Sequence, residues 1–390
     1  MTTHVPVAVI GAGPTGMTAA TLLAQHGVET LMLDRWPDVY PQPRAVHLDD
    51  EVYQILDRLG IAEKFAAISR PALGLQLVDE HHRVLARFRR GGSRRGFPRA
   101  NMFDQPELER LLRDNLSRYP QIRLRGGVEV VDVTPGTPAH IVLADGEVIS
   151  ADYVLGCDGA NSLVRQRIGA VMQDLKFDQR WLVVDIATTA DLRQWDGVHQ
   201  VCSAHRAATY MRIGETRYRW EFQLLSRESA ADYASLHAVR PFIAPWVPEG
   251  TELELVRVAE YTFRAQLADR WRRGNLFLLG DAAHLTPPFI GQGMGAGLRD
   301  AMNLAGKLAG VINGERDAAV LDTYERERQP HARMMIRLAL AVGRAMTGGG
   351  RTGDLARRAV ATVLTVPRTA ARRLRGRTAT TEPALARRTS

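Results

Sequence analysis

Hydrophobic and polar positions at the start of the chain predict a strand, a turn, a helix and a second strand. Residues 7–10 form an apolar, mostly β-branched run, and the apolar positions of residues 14–26 follow helical spacing. Residues 30–33 form another apolar run. This order is typical of a β-α-β unit, in which a helix connects two parallel strands.

Farther along, the pattern separates two kinds of region. Residues 181–263 hold longer alternating stretches, which are typical of an antiparallel sheet. Outside them, helices are predicted over 49–59, 105–116 and 297–312, and strands over 122–124, 128–133, 141–143, 153–156 and 275–279. We predict an α/β (α+β) fold, a Rossmann-like domain (1–180 and 269–346, the second part with long C-terminal helices) interleaved with an antiparallel-sheet domain (181–268) and followed by a basic Arg/Ala-rich tail (347–390), partly helical or disordered.

The net charge of +8 comes from the tail. Residues 351–390 contain ten arginines and two acidic residues, whereas residues 1–350 contain 41 basic and 41 acidic residues. A basic groove for nucleic acid is therefore not expected in the folded body. The two cysteines, Cys157 and Cys202, give no disulfide framework and no metal-binding spacing, and the chain starts without a signal peptide. These features predict a cytoplasmic protein.

The turn after the first strand has the pattern GxGxxG. Side chains are excluded at its glycines because the chain turns sharply and lets a pyrophosphate approach the backbone, while the helix N-terminus offers free N–H groups. Asp34, at the end of the second strand, is placed to accept hydrogen bonds from ribose hydroxyls. The residues of this predicted dinucleotide site are Gly11, Gly13, Pro14, Thr15, Gly16, Asp34 and Arg35.

A second glycine-rich region follows the strand predicted at 275–279. It contains Gly280 and Asp281, and then Pro288, Gly291, Gly293, Met294 and Gly295 at the start of a predicted helix. Two distant glycine turns suit one long cofactor held at both ends. A flexible loop, or a second nucleotide site, is the alternative for residues 291–297.

Together with Cys157-Asp158-Gly159, these motifs resemble the group A FAD-dependent aromatic hydroxylases, the family of p-hydroxybenzoate hydroxylase. The resemblance covers residues 5–345. Within the family, residues 43–51, 180–185 and 219–222 are most similar to the 3-(3-hydroxyphenyl)propionate hydroxylases. The resemblance implies that Asp34 holds the adenosine ribose, that Arg44 and Gln105 contact the pyrophosphate and ribityl region, that Asp158 and Asp281 contribute to FAD binding, and that residues 291–295 lie against the isoalloxazine ring. Alternatively, Arg44 forms a surface salt bridge and Asp158 caps a helix.

The reaction implied by the resemblance is hydroxylation of a small phenolic acid with O2 and NADH or NADPH, through a flavin C4a-hydroperoxide. A base near the flavin is then expected to activate the phenol. His47 is the candidate, because its segment lies beside the ring in the family and its pKa is nearest neutrality; the alternative is a histidine that only packs there. Arg206 is the candidate for binding a substrate carboxylate, with Arg212, Arg217 and Arg219 as alternatives.

The chain departs from the family at two places. Gly306 occupies a helix position where tryptophan is usual, and the tail replaces the thioredoxin-like C-terminal domain of the most similar relatives. A larger aromatic natural product is therefore a second substrate class, and a flavin-dependent reductase is a third hypothesis. The apolar stripe of residues 355–364 indicates docking on the body, or alternatively contact with a membrane or partner. Homodimerisation is compatible with the sequence, and no metal is predicted.

Overall fold

The computed structural model describes residues 3–40, 45–94, 96–348, 353, 355 and 357. Arg44, and most of the predicted tail, lie outside these residues. The α-helices are α1 (Pro14–Ala24), α2 (Asp50–Arg58), α3 (Ala62–Ile68), α4 (Gln105–Leu116), α5 (Leu163–Ile168), α6 (Leu236–Ile243), α7 (Gly293–Ile312) and α8 (Thr323–Thr347). The strands are β1 (Thr3–Ile10), β2 (Thr30–Asp34), β3 (His47–Asp49), β4 (Ser69–Pro71), β5 (Gly74–Asp79), β6 (Val84–Arg89), β7 (Ser93–Arg94), β8 (Phe97–Pro98), β9 (Ala100–Phe103), β10 (Ile122–Gly126), β11 (Val130–Thr134), β12 (Ala139–Leu143), β13 (Val148–Gly156), β14 (Met172–Ala187), β15 (Val198–Cys202), β16 (Ala208–Arg212), β17 (Arg217–Gln223), β18 (Glu254–Ala268), β19 (Arg272–Arg273), β20 (Leu276–Leu278) and β21 (His284–Leu285).

The first sheet carries the Rossmann-like domain. Its main order is β10-β2-β1-β13-β12-β11, and the carboxyl end of β13 also pairs with β20. The pairs β10–β2, β2–β1, β1–β13 and β13–β20 are parallel. The carboxyl ends of β1, β2, β13 and β20 therefore meet at one edge, which is where ligands bind in open parallel sheets. The glycine turn at residues 11–16 follows β1, and the second glycine-rich region, which starts at Gly280, follows β20, so both begin at this edge.

The second sheet confirms the predicted antiparallel region and extends it. Its order is β21-β18-β14-β17-β16-β15-β5-β6, and β15–β5 is a parallel pair within it. The hairpin β5–β6 and the first half of β14 lie before residue 181, so the predicted boundary separated strands that share one sheet. Local pattern could not reveal this, because β5 joins the sheet by pairing with a strand more than a hundred residues later.

The helices agree with the sequence pattern, with small shifts at their ends. Helix α7 begins at Gly293, four residues before its predicted start, because residues 293–296 present too few large apolar side chains to show helical spacing. At the start of the tail, Arg357 donates hydrogen bonds to the carbonyl oxygens of Ala345 and Gly348, 3.2 and 3.1 Å away. In the described parts of the chain, no helix combines the length and hydropathy of a membrane span.

Replacing Gly306 by alanine is expected to stabilise the protein. A Cβ built at Gly306 meets no atom within 4 Å, so the added methyl group causes no overlap inside α7. Alanine also restricts the unfolded chain, and we expect the free energy of unfolding to rise by about 0.5–1 kcal/mol in urea titrations. Gly297→Ala in the same helix is the control, because its Cβ would lie 2.3 Å from Thr15 Oγ1. Destabilisation by Gly306→Ala would show that the space is occupied.

Candidate active site

A continuous cavity of about 2020 Å³ joins the two glycine turns. It runs from the edge of the first sheet to the face of the second sheet. The predicted cofactor residues that line it are Gly11, Gly13, Pro14, Thr15, Asp34, Arg35, Gln105, Asp158, Gly280, Asp281, Pro288, Gly291, Gly293 and Met294. His47 lines it as well. One long ligand can therefore reach both turns, as the hypothesis of a single cofactor requires.

The first glycine turn separates structural glycines from one that faces the cavity. Gly11 has φ +99°, and a Cβ there would lie 2.3 Å from the carbonyl oxygen of Cys157. A Cβ at Gly16 would lie 2.0 Å from the carbonyl oxygen of Gly11, so Gly16 packs helix against strand and does not line the cavity. At Gly13 a Cβ meets nothing within 4 Å. Gly13 thus leaves open the space beside the N-terminus of α1, where a pyrophosphate would lie.

Two carboxylates are placed to contact the adenosine and pyrophosphate part of a dinucleotide. Asp34 accepts hydrogen bonds from the backbone N–H groups of Ala12 (2.5 Å) and Trp36 (2.7 Å), which holds its carboxylate at the cavity. Asp158 Oδ2 accepts from Val164 N–H in α5, so the predicted capping contact exists. Among the described residues, however, the buried Asp158 Oδ1 has no hydrogen-bond partner. Burial raises the pKa of Asp158, and a ligand hydroxyl would satisfy the second oxygen.

The turn at Gly280 is held by a buried charge cluster that the sequence did not reveal. Asp300, fully buried in α7, accepts hydrogen bonds from Gly280 N–H (3.1 Å), His284 Nε2 (2.7 Å) and Arg328 Nε (2.8 Å). Burial acts to raise the pKa of Asp300, but His284 and Arg328 hold it below its ordinary value. His284 therefore anchors this loop. The available signal was an aspartate among the small apolar residues of α7.

The later glycine turn lies directly against His47. Gly291 has φ +61°, and a Cβ there would lie 2.8 Å from His47 Nδ1. The same nitrogen lies 3.3 Å from the carbonyl oxygen of Gly291. Burial lowers the pKa of His47, and the Gly291 contact offsets this in part. Gln105 Oε1 accepts from Ala45 N–H (2.5 Å), which ties the segment before His47 to α4.

Arg206 lies elsewhere, and the carboxylate role predicted for it is not retained. Its guanidinium group forms an ion pair with Glu228, with Nη1–Oε2 at 2.8 Å, and lies 5.0 Å from the Phe242 ring centroid. Neither Arg206 nor its alternatives Arg212 and Arg217 line the cavity, whereas Arg219 does.

Gly295, predicted to contact the cofactor, does not line the cavity either. It packs against α2 instead, since a Cβ at Gly295 would lie 2.9 Å from the Val52 side chain. The described residues contain no group of three or more His, Cys, Asp and Glu side chains suited to a metal.

Comparison with known proteins identifies the family of the chain. A family model described as FAD binding domain matches residues 4–339. The chain is 38% identical over 348 residues to 3-(3-hydroxy-phenyl)propionate/3-hydroxycinnamic acid hydroxylase 2 of Burkholderia vietnamiensis (strain G4 / LMG 22486), covering 86% of this chain and 62% of the relative. It is 38% identical over 352 residues to a protein named Probable NADH-specific resorcinol 4-hydroxylase of Rhodococcus jostii (strain RHA1), covering 88% and 66%.

The fold also matches a solved structure, p-nitrophenol 4-monooxygenase from Pseudomonas putida DLL-E4. The TM-score is 0.85 at 21% identity, over 94% of this chain and 95% of that one. In sequence, the chain spans about 62% of the first hydroxylase relative's length. The match over residues 4–339 and the open cradle at Gly13 agree with one cofactor. The chain belongs to the family described as FAD binding domain, and FAD is its cofactor.

Proposed function

We propose that the protein is an FAD-dependent monooxygenase that hydroxylates a phenolic ring with O2 and NADH or NADPH. The observation that supports this most directly is the position of His47. It lies against the Gly291 turn, at the point where the cofactor cavity opens onto the second sheet. A phenol bound there would have a half-buried imidazole within the same cavity. Because NADH and NADPH are intracellular reductants, we also propose a cytoplasmic location.

The protein's part in this reaction is to exclude water and hold the ring. When bound, FAD accepts a hydride from the nicotinamide and activates O2. Apolar side chains form part of the cavity wall near the Gly291 turn, where Phe289 packs edge-on to Trp181 with ring centroids 5.5 Å apart. Met211, Phe263 and Phe289 line this part of the cavity. Such walls suit an aromatic ring and keep water away from the reactive centre.

His47 can accept the phenol proton. The carbonyl oxygen of Gly291 is an acceptor, so Nδ1 must donate to it, and Nε2 of the neutral ring keeps its lone pair. Because the pKa of His47 is lowered, the imidazole is neutral at pH 7. Removing the phenolic proton raises the electron density of the ring, which favours attack on an electrophilic oxygen.

His47→Gln is expected to slow hydroxylation by about 100-fold, the lower range for loss of a general base. The wild-type rate should fall as pH decreases through the lowered pKa of His47, because the imidazolium ion cannot accept a proton, and the variant should lack this step. Single-turnover product formation at pH 5–8 measures both effects. His331→Gln, at another histidine of the cavity wall, is the comparison. Unchanged product yield per NADH in His47→Gln would remove the assignment.

The proposed function is tested with the purified holoenzyme. Phenols should stimulate NADH or NADPH oxidation, and mass spectrometry should find one ¹⁸O atom from ¹⁸O2 in the product. NADH is the first reductant to test, because one relative is named as NADH-specific. A protein that binds FAD but transfers no labelled oxygen to any phenol in a broad panel would contradict the proposal and favour a reductase.

A further inference from the structure

The cavity-facing side of the second sheet carries a row of polar side chains. On β17, Tyr218, Trp220 and Phe222 point to the core beneath α6, so alternation turns Arg219 and Glu221 to the opposite face. Glu221 pairs with Thr209 on β16, and Thr209 pairs with Gln200 on β15. We call Gln200, Thr209 and Glu221 the polar row. All three line the cavity and are at least nine-tenths buried.

The polar row has hydrogen-bonding groups that the described residues leave unsatisfied. Gln200 Nε2 donates to the carbonyl oxygen of Phe289 at 2.6 Å, but its buried Oε1 has no partner among the described residues. The Glu221 carboxyl group interacts electrostatically with Arg219, Asp185 and Arg257. It makes no hydrogen bond to any of the described residues. Because buried polar groups are almost always paired, Gln200 Oε1 indicates a ligand that donates a hydrogen bond, and the Glu221 carboxyl group offers a second acceptor in the same cavity.

The arginines beside the polar row are shared with an aspartate. Arg219 binds Asp185 through Nε (2.6 Å) and Nη2 (3.0 Å), and Arg257 Nη2 lies 2.7 Å from the same carboxylate. With Glu221 ionised, this cluster of Arg219, Arg257, Asp185 and Glu221 carries two positive and two negative charges. It therefore provides no excess positive charge for a substrate carboxylate, and Glu221 would repel one.

We propose that the polar row binds a second, uncharged hydroxyl group of the phenolic substrate, so that the site selects neutral dihydroxybenzenes over phenols that carry a carboxylate. The inference rests on the proposed function and differs from the phenolic acid expected from the sequence. A hydroxyl group donates to Gln200 Oε1 or to the Glu221 carboxylate, and can accept from Thr209. Sites that bind a hydroxyl in this way reject analogues that leave the buried groups unpaired.

The selectivity should depend on pH. Burial raises the pKa of Glu221 to about 7, against the attraction of Arg219. The facing groups are Arg219 on its own strand, Asp185 on β14, Arg257 on β18 and the uncharged Thr209 on β16. Since the raised pKa keeps the proton on Glu221 below pH 7, repulsion of a carboxylate should be weak at pH 6 and full at pH 8.

The test is equilibrium binding to the holoenzyme, followed through the flavin absorbance. Three probes separate charge from size: 1,3-dihydroxybenzene, 3-(3-hydroxyphenyl)propionate and its uncharged amide. At pH 8 we expect the dihydroxybenzene to bind at least about tenfold more tightly than the acid, and the amide more tightly than the acid. The difference between acid and amide should shrink at pH 6. Glu221→Gln should weaken binding of the dihydroxybenzene and strengthen binding of the acid.

Opposite shifts for two probes cannot come from a general loss of structure. Glu228→Gln is the matched control, because Glu228 pairs with Arg206 outside the cavity and should leave all three dissociation constants unchanged. Tighter binding of the acid than of the dihydroxybenzene at pH 8, or equal shifts of both in Glu221→Gln, would overturn the inference. If the probes bind as expected but no hydroxylated product forms, the proposed function fails and the assignment of the polar row stands.

Discussion

Replacing Asp300 by alanine is expected to lower the free energy of unfolding by about 3–5 kcal/mol, the loss observed when one partner of a buried ion pair is removed. Asp300 is fully buried and binds His284, Arg328 and the Gly280 N–H group. Without it, the Arg328 guanidinium group stays in the interior with no carboxylate at Nε. Urea unfolding of the apoprotein at pH 7 measures the loss.

An exposed ion pair in the same protein provides the control. Asp178 lies 3.2 Å from Arg264 across β14 and β18, and both side chains are at least half exposed. Asp178→Ala should change the free energy of unfolding by less than about 1 kcal/mol, because water solvates both charges. Similar losses in the two variants would show that burial does not set the contribution of Asp300.

Replacing Gly13 by valine is expected to weaken FAD binding by at least about 100-fold, or roughly 2.7 kcal/mol. The reason is the open space at this position, where a Cβ meets no protein atom within 4 Å and the residue lines the cavity. Its backbone is extended, with φ −74° and ψ −179°, which valine adopts readily. The side chain would fill the space that the pyrophosphate needs. Titration of apoprotein with FAD, followed by flavin fluorescence, measures the dissociation constant.

A second glycine of the same turn separates cofactor binding from folding. Gly13→Val should leave the melting temperature of the apoprotein close to that of the wild type. Gly11→Val should lower it strongly, because Gly11 has φ +99° and its Cβ would overlap the Cys157 carbonyl oxygen at 2.3 Å. Wild-type FAD affinity in Gly13→Val would mean that the cofactor does not pass this turn.

The first glycine turn was predictable because its determinants are local. A GxGxxG turn between an apolar strand and a helix specifies both the backbone path and the exposed N–H groups of the helix N-terminus, whatever the rest of the chain does. The same holds for Asp34, which lies at the end of the next strand. The pattern did not distinguish Gly16, which packs against Gly11, from Gly13, which faces the cavity, because both are glycines in one motif.

The part of the cavity formed by the second sheet depended on which face of that sheet turns toward the glycine turns. Alternation along a strand predicts which residues share a face, but it leaves open which face is inside, and a shift of one residue reverses the answer. The aromatic residues Tyr218, Trp220 and Phe222 pack under α6, and so Glu221 faces the cavity while Arg206 pairs with Glu228 outside it. The sequence by itself therefore determined the FAD-binding turns and the family. Only tertiary packing decided which charged side chains of the second sheet line the cavity, because that choice depends on contacts between segments far apart in the chain.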